Sequence, residues 1–105
     1  MATKAGVKLD QDKIRMDLVP PELIEEVGKV LTFGAKKYTP NGWKTVPNST
    51  ERYMAALLRH LMSHQKGEAN DPESGLSHLS HAATNIAFLI HLQAKKEEPT
   101  TEKVV

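Results

Sequence analysis

Cysteine is absent from the sequence, which excludes disulfide bonds and metal sites built on thiolates. Any metal ion would therefore be bound by His, Asp, Glu or Asn side chains. Long apolar runs are absent as well, and none approaches the roughly 20 residues needed to cross a bilayer. The N-terminus lacks the apolar segment of a secretory signal peptide, so we expect a cytoplasmic protein without a membrane partner.

An excess of charge of either sign is also missing. Fourteen basic residues are matched by thirteen acidic ones, which gives a net charge of +1. Because no nucleic-acid recognition motif accompanies this balance, we expect no nucleic-acid partner. The length of 105 residues, with 39% hydrophobic and 26% charged residues, fits one soluble globular domain and excludes a fibrous or wholly disordered chain.

The charges that are present are unevenly placed along the chain. No acid occurs between Val27 and Thr50, whereas four lysines fall in that window. All five histidines lie between His60 and His91, and the acidic loop that begins at Glu68 lies among them. A cationic stretch beside histidines and carboxylates suits a small phosphorylated ligand bound through a metal, although solvated surface charges would give the same pattern.

Apolar residues recur at helical spacing in three segments, and no segment alternates with a period of two. We predict helices over residues 21–38, 50–66 and 76–94, and therefore an all-α fold, a small bundle of three main helices. Asn48 and Glu51 have the spacing of a capping box at the start of the second helix. We predict a single domain over residues 1–94 and a disordered tail over the polar residues 95–105, which contain Pro99.

Three helices of this size make a thin core, and each helix carries a wide apolar arc. One copy of the chain is too small to cover all of that apolar surface. We therefore expect the remainder to be buried between subunits, in a homo-oligomer that is at least a dimer.

The third predicted helix carries three of the five histidines on two different faces. At 100° per residue, His78, His81 and Asn85 project within roughly 60° of one another. The opposite, polar face carries His91 together with Ser77, Ser80 and Thr84. Solvation explains a histidine on that face, so we expect loss of function when His78 or His81 is replaced and no effect when His91 is replaced.

A second pair of imidazoles, on His60 and His64, is spaced four residues apart on the second helix, which can place both on one metal. If the second and third helices pack antiparallel, this pair faces the start of the third helix and the acidic loop between the helices. The candidate metal ligands are therefore His60, His64, Glu68, Asp71, His78 and His81. Their oxygen and nitrogen atoms suit Mg²⁺ or Mn²⁺ better than a closed structural zinc site.

These patterns also have plainer explanations, which stay open at this point. Pairs of histidines on a helix arise by chance, or serve as hydrogen-bonded partners at the margin of a core. Asp71 and Ser74, in the loop, can serve ordinary turn and N-cap chemistry.

A phosphorylated ligand would also need cations and a stacking surface. Tyr38 and Trp43 flank the turn formed by residues 40–42 and can stack on a base, although a lone Trp often anchors a core instead. Isolated basic side chains are usually solvated, but lysine and arginine can also donate charge-assisted hydrogen bonds to phosphate oxygens. The candidate ligand-binding residues are Arg15, Lys36, Lys37, Tyr38, Asn41, Trp43, Arg59 and Asn85.

Four sequence elements together resemble a known family. The segments KIRMDLVPPELIEEVGKVLTFGAKKY, NGWK, LLRHL and GEANDPESGLSHLSHAATN, spread over residues 13–92, are similar to the phage dATP/dGTP diphosphohydrolase N-terminal family. That family is related to the MazG-like all-α nucleotide pyrophosphohydrolases. The resemblance implies an α-helical, oligomeric, nucleotide-binding domain, located in the host cytoplasm if a phage encodes it.

The resemblance also implies hydrolysis of purine deoxynucleoside triphosphates, dATP or dGTP, to monophosphate and pyrophosphate with a divalent metal. In that reaction water attacks the α-phosphorus, and positive charge is needed around the phosphate oxygens. Lys36, Lys37 and Arg59 would hold the triphosphate, and the base would lie near Tyr38 or Trp43. The catalytic residues would be Glu68, Asp71, His78 and His81.

One departure separates this chain from the MazG-like enzymes, which carry E-E-x-x-E on one helix and E-x-x-D on another. The chain instead has Glu22-x-x-Glu25-Glu26 and then His78-x-x-His81-x-x-x-Asn85. Imidazole is a weaker partner for Mg²⁺ than carboxylate. A second hypothesis is therefore a catalytically silent phage protein that binds and sequesters a nucleotide second messenger of host defence.

Overall fold

A computed structural model describes Gly6, Leu9 and residues 11–97 of the chain. It contains three α-helices, α1 (Pro21–Lys37), α2 (Ser49–Gln65) and α3 (His78–Glu97), and two short 3₁₀ helices, Met16–Leu18 and Gly42–Thr45. Within the described residues there is no strand, and the one isolated β-bridge joins Asn70 to Ser77. The predicted all-α fold with three main helices is therefore confirmed.

The starts of α2 and α3 show how the sequence sets the helix boundaries. Asn48 precedes α2, but its backbone is left-handed (φ 54°) and its side chain makes no cap hydrogen bond. The predicted capping box is therefore wrong, because a capping side chain reaches the first turn from an extended backbone. At α3 the Ser77 hydroxyl oxygen accepts a hydrogen bond from the Ser80 N–H at 3.0 Å, which makes Ser77 the N-cap.

The end of α3 extends beyond its predicted limit. The helix continues through Lys95 and Lys96 to Glu97. Both lysines lie in the last turn, where the negative end of the helix dipole stabilises cations. That part of the predicted tail is helical. The remainder of the tail, residues 98–105, lies outside the described residues.

The helices α2 and α3 pack antiparallel, as expected for neighbours joined by a short loop. The ring of His60 contacts that of His78 near the loop, and the ring of Tyr53 contacts that of Phe88 about two helical turns further from the loop. Helix α1 packs on another side of α3, where the Ser80 hydroxyl donates a hydrogen bond to a carboxylate oxygen of Glu26 at 2.6 Å.

The buried interior of the described chain is unusually polar. Its apolar members are Val30, Leu57 and Ala82, and its polar members are His78, Ser80, Thr84 and Asn85. The face of α3 that carries Ser80 and Thr84 was expected to be solvated, and this expectation is wrong because α1 covers that face. The Thr84 hydroxyl, 1% exposed, donates to the Ser80 carbonyl at 2.8 Å.

The outer faces of the bundle carry the apolar residues that the interior lacks. Exposed large apolar side chains on the three helices include Leu23, Ile24, Leu31, Met54, Leu58, Leu61, Met62, Leu79, Ile86 and Ile90. Each helix therefore keeps an apolar face that one copy of the chain does not cover. Among the described residues, no helix combines the length and the apolar character needed to cross a membrane.

Candidate functional site

The loop between α2 and α3 begins with a turn that only glycine adopts easily. The Gly67 backbone is left-handed (φ 100°), and its N–H donates to the His64 carbonyl at 3.0 Å. The Glu68 N–H reaches back to the Ser63 carbonyl, also at 3.0 Å. This pair of bonds is a Schellman motif, which ends α2 and turns the chain toward the start of α3.

The same loop then pairs with itself. The Asp71 N–H donates to the Leu76 carbonyl at 2.8 Å, and the His78 N–H donates to the Ala69 carbonyl at 2.9 Å. These two bonds flank the bridge between Asn70 and Ser77. They hold the loop carboxylates beside the first turn of α3.

Two histidines and two loop carboxylates meet at this end of the bundle. His60 Nδ1 lies 2.8 Å from His78 Nδ1, and His78 Nε2 lies 2.7 Å from Glu68 Oε1. One ligand atom each from His60, Asp71 and His78 fall within 4.8 Å of one another. His78 is 3% exposed, so this cluster is anchored in the interior. Its convergence was predicted from the antiparallel packing of α2 and α3.

Asp71 serves the turn and the cluster at once. Its Oδ1 accepts hydrogen bonds from the backbone N–H groups of Glu73 at 2.8 Å and Ser74 at 3.0 Å. Burial alone would raise the pKa of Asp71, but these N–H donors and the nearby imidazoles of His81 and His60 outweigh it and lower the pKa. Asp71 is therefore held as a carboxylate, and the turn chemistry offered as the plainer explanation is present.

His81 lies one turn further along α3 and extends the polar cluster. Its ring stacks on that of His60 with centroids 4.5 Å apart, and Ser74 Oγ lies 2.6 Å from its Nε2. Burial lowers the pKa of both His60 and His81; repulsion from the His78 imidazole adds to this lowering, and the Asp71 carboxylate opposes it without reversing it. The side-chain amide of Asn85 donates to the His81 carbonyl at 2.9 Å, which supports this turn of the helix.

A cleft of about 1170 Å³ opens between α1, the 3₁₀ helix Gly42–Thr45 and the α2–α3 pair. His60, Asp71 and His81 line one part of it, and Lys37 and Arg59 bring cationic side chains to the same cleft. Lys37 pairs with Glu73 on the loop. Positive side chains and the histidine cluster therefore share one opening.

The aromatic residues lie on the wall and rim of this cleft. Trp43 stacks on Phe88 with ring centroids 4.3 Å apart, and its backbone carbonyl accepts a hydrogen bond from the Tyr53 hydroxyl at 2.6 Å. Tyr38 is 70% exposed at the rim. Trp43 thus has the packing role named as its plainer explanation, whereas the ring of Tyr38 is exposed, with the Lys37 ammonium 5.2 Å from its centroid.

The structure places most of the predicted ligand-binding residues in the cleft but not all of them. Asn41, Trp43 and Asn85 line it with Lys37, Tyr38 and Arg59. Two of the ligand-binding candidates lie elsewhere, as does one candidate metal ligand, His64. Lys36 lines a separate open depression on α1, Arg15 pairs with Asp17 at 2.7 Å, and His64 is exposed outside the histidine cluster.

The surroundings of His91 differ from the expected solvated face. Its ring meets the edge of the Trp43 ring, with centroids 5.0 Å apart, and it is only half-exposed. The explanation by solvation is therefore wrong, because the 3₁₀ helix that carries Trp43 folds over this part of α3. The expectation that His91 has no functional role stays a prediction.

Three residues of the site were missed from the sequence. Phe88 lies seven residues after His81, a spacing that returns to the same helix face and was a usable signal. Tyr53 lies on α2, and the contact of its hydroxyl with the Trp43 carbonyl gives no sequence signal. Ser74 was considered for the turn alone, and the pairing of its hydroxyl with His81 depends on how the loop folds.

The fold and the cleft define a small all-α protein in which a histidine–carboxylate cluster lies beside cationic and aromatic side chains. Comparison with known sequences gives the family: residues 3–102 match the family described as dATP/dGTP diphosphohydrolase, N-terminal, and the chain belongs to it. The resemblance found in the sequence motifs is thus confirmed.

A curated relative carries the same family name. The protein named dATP/dGTP diphosphohydrolase from Salmonella phage PMBT28 is 37% identical over 87 residues, which cover 83% of this chain. The matched segment spans only 29% of the relative's own length. No solved structure matches the chain.

Proposed function

We propose that this chain binds a purine deoxynucleoside triphosphate, dATP or dGTP, in the cleft and hydrolyses it to the monophosphate and pyrophosphate. The observation that carries the proposal is that His60 and Asp71, which cluster with the buried His78, line the same cleft as Lys37 and Arg59. A triphosphate binds through metal ions and through cationic side chains, and this cleft offers places for both. The family and the name of the phage relative support the same substrate class.

The residues of the cluster fit a divalent ion. Two imidazoles and one carboxylate offer three ligand atoms within 4.8 Å, which is fewer than most ions coordinate and leaves positions for phosphate oxygens. Such an ion, for which the sequence suggested Mg²⁺ or Mn²⁺, would supply positive charge against the charge that develops on the phosphate.

The chain's own side chains would bind and orient the triphosphate. Lys37 and Arg59 would donate charge-assisted hydrogen bonds to its oxygens, and Lys37 can exchange Glu73 for a phosphate partner. The base would lie against the exposed ring of Tyr38, near Trp43 and Asn41.

Hydrolysis at the α-phosphorus also needs a group that takes the proton lost by water. His81 is the candidate, because its lowered pKa favours the neutral imidazole that can accept a proton. Ser74 lies against its Nε2 and fixes the plane of the ring. The bond that breaks joins the α-phosphorus to the oxygen that leaves with pyrophosphate.

An isotope experiment tests this proposal. The protein is incubated with dATP, dGTP and the other nucleoside triphosphates in ¹⁸O-labelled water with a divalent ion, and the products are resolved by ion exchange and mass spectrometry. We expect purine monophosphate that carries the label and unlabelled pyrophosphate. Label in pyrophosphate, or release of inorganic phosphate alone, would contradict attack at the α-phosphorus.

The second candidate is a protein that binds a nucleotide of host defence and sequesters it without hydrolysis. The observation that favours it is the donor set, in which two imidazole nitrogens accompany one carboxylate, whereas Mg²⁺ is usually held by oxygen ligands alone. Recovery of an intact nucleotide after denaturation of the purified protein, with no turnover of the triphosphate panel, would support sequestration.

The proposed function includes assembly with further copies of this chain. The exposed apolar faces of α2 and α3, with Leu58 and Met62 on one and Leu79 and Ile90 on the other, are the surfaces we propose to be covered. Light scattering at micromolar concentration checks this, and a stable monomer would contradict it.

A further inference from the structure

We propose that His60, His78 and Asp71 bind a first-row transition-metal ion in preference to Mg²⁺, and that Glu68 positions His78 rather than binding the ion. The inference rests on the proposed function for the location of the site. Its test uses metal ions alone, without nucleotide, so the two can fail separately.

The spacing of the two imidazoles is the first argument. His60 Nδ1 and His78 Nδ1 face one another at 2.8 Å. At this distance the two rings are hydrogen-bonded to one another. Two nitrogens bound to one ion, each at about 2.1 Å, lie about 3.0 to 3.4 Å apart for bond angles between a right angle and the tetrahedral angle. The rings therefore need to separate by less than about 1 Å to share an ion, and Asp71 offers a carboxylate oxygen within 4.8 Å of a ring nitrogen of each.

The partner of the other ring nitrogen is the second argument. His78 Nε2 lies 2.7 Å from Glu68 Oε1, on the opposite side of the ring from Nδ1. When Nε2 carries the proton and donates it to Glu68, the lone pair of Nδ1 is left facing His60. Metal-binding histidines commonly donate their second N–H to a carboxylate in this way. Glu68 is thus placed to orient a ligand and not to be one.

The rigidity of the surroundings is the third argument. The backbone N–H of His78 donates a hydrogen bond to the carbonyl of Ala69, the residue directly after Glu68. This bond holds the His78 ring close to the Glu68 carboxylate. Asp71 is fixed by two backbone N–H donors on its Oδ1. Ligands positioned in advance in this way lose little freedom when an ion binds.

The donor chemistry selects the class of ion. Mg²⁺ prefers six oxygen ligands in near-ideal octahedral geometry and gives up its water reluctantly. Imidazole nitrogen suits Zn²⁺ and the neighbouring transition ions, whose affinities rise from Mn²⁺ through Co²⁺. Two nitrogens and one oxygen in a half-buried cluster therefore favour a transition ion, and they leave the remaining positions open toward the cleft.

Metal titration of the full chain tests the preference. Zn²⁺, Co²⁺, Mn²⁺ and Mg²⁺ are titrated separately by isothermal calorimetry, and bound metal is counted after dialysis. We expect one equivalent of Zn²⁺ or Co²⁺ per chain, weaker binding of Mn²⁺, and no displacement of Co²⁺ by millimolar Mg²⁺. Saturable Mg²⁺ binding that displaces Co²⁺ would overturn the proposal.

Variants separate ligands from the positioning residue. We expect His60→Ala and Asp71→Asn to remove the visible absorption of bound Co²⁺ or shift its bands, because each loses a ligand. Glu68→Gln should weaken Co²⁺ binding about 10-fold to 100-fold, the usual cost of losing an orienting carboxylate, while leaving the band positions unchanged. A shift of the bands in Glu68→Gln would show that Glu68 is itself a ligand and would contradict its positioning role.

A matched control lies on the same helix. His64→Ala removes an imidazole one turn beyond His60, at an exposed position outside the cluster, and we expect it to keep the affinity and spectrum of the unmodified chain. Circular dichroism confirms that each variant retains its helices. Equal loss in His64→Ala and His60→Ala would place the ion elsewhere and would overturn the ligand assignment.

Discussion

The inward and outward sides of this bundle differ in the opposite sense from most small domains. Among the described residues, the buried interior has four polar members and three apolar ones, whereas Leu58, Met62, Leu79 and Ile90 are exposed. Burying a polar group is costly unless it is hydrogen-bonded. Every described buried side-chain nitrogen or oxygen has a partner. The comparison shows that hydrogen bonds specify the interior, and that much of the apolar surface is left exposed by the single chain.

Pairs of neighbouring residues, one buried and one exposed, test this difference between the two sides. The largest expected difference in the free energy of unfolding is between variants of Leu57 and Leu58. Leu57 is buried between the helices, whereas Leu58 is 52% exposed. We expect Leu57→Ala to lower the free energy of unfolding by about 2 to 5 kcal/mol, because it leaves a cavity in a small core. Leu58→Ala should cost less than about 0.5 kcal/mol within the monomer. Urea unfolding followed by circular dichroism measures both, and equal losses would contradict the burial of Leu57 alone.

A negative charge on the exposed apolar face of α2 should disrupt the proposed assembly of subunits. We expect Leu58→Glu and Met62→Glu to dissociate the proposed oligomer, since each apolar side chain covered by a partner contributes about 1.5 to 3 kcal/mol. That energy corresponds to a rise of at least about 10-fold in the dissociation constant. Light scattering over a concentration series measures it. Gln65→Glu, which adds the same charge at an exposed polar position of α2, is the control and should leave assembly intact.

Lys36 and Lys37 extend the comparison to charged residues. Lys37 lines the cleft, whereas Lys36 lies in the separate depression on α1. We expect Lys37→Ala to weaken binding of a non-hydrolysable dGTP analogue by about 1 to 3 kcal/mol, the scale of a charge-assisted hydrogen bond. Lys36→Ala should leave the affinity unchanged. Calorimetric titration measures the affinity of both variants for the analogue. Equal weakening would mean that the phosphates respond to the overall positive charge of α1 and are not bound specifically in the cleft.

The smallest expected effect concerns the contact of α1 with the polar face of α3. Hydrogen bonds from Lys29 and Ser80 lower the pKa of Glu26. A carboxyl group with a lowered folded-state pKa stabilises the fold above its unfolded pKa, and that contribution is lost as the pH falls through the folded pKa. Between about pH 6 and pH 3, a range that spans the ordinary Glu pKa, we expect Glu26→Gln to show a weaker pH dependence of the urea midpoint than the unmodified chain. Glu25→Gln is the neighbouring control, and it should keep the original pH dependence.

Much of the fold could be predicted because its signals are local. Helical periodicity, Pro21 and the loop residues placed each helix end within three residues of the observed one. The buried side of each helix could not be predicted in the same way. A helical wheel shows where apolar residues lie but not which neighbour covers them, so Ser80 and Thr84 were assigned to solvent although α1 packs over them.

The candidate site was predictable to the extent that it depends on chain connectivity. Antiparallel helices joined by a short loop had to bring His60, His78 and Asp71 together, and they do so. Contacts between segments that are not joined by a short loop could not be predicted from the sequence in this way. Trp43 reaches His91 and Phe88 only because the 3₁₀ helix folds back over α3, a route that no spacing within either segment reveals.

The backbone pairing of Asn70 with Ser77 makes the length of the α2–α3 loop a fixed quantity. Alternate residues of a paired extended segment point to opposite sides, so an insertion of one residue between Glu68 and Asn70 would move one carboxylate to the far side of the loop. The turn at Pro72 is equally constrained in length, because the Asp71 carboxylate accepts the backbone N–H groups of Glu73 and Ser74 across it. Loop-grafting or library designs built on this chain should therefore vary exposed side chains of the loop and keep the lengths of both paired arms and of the turn.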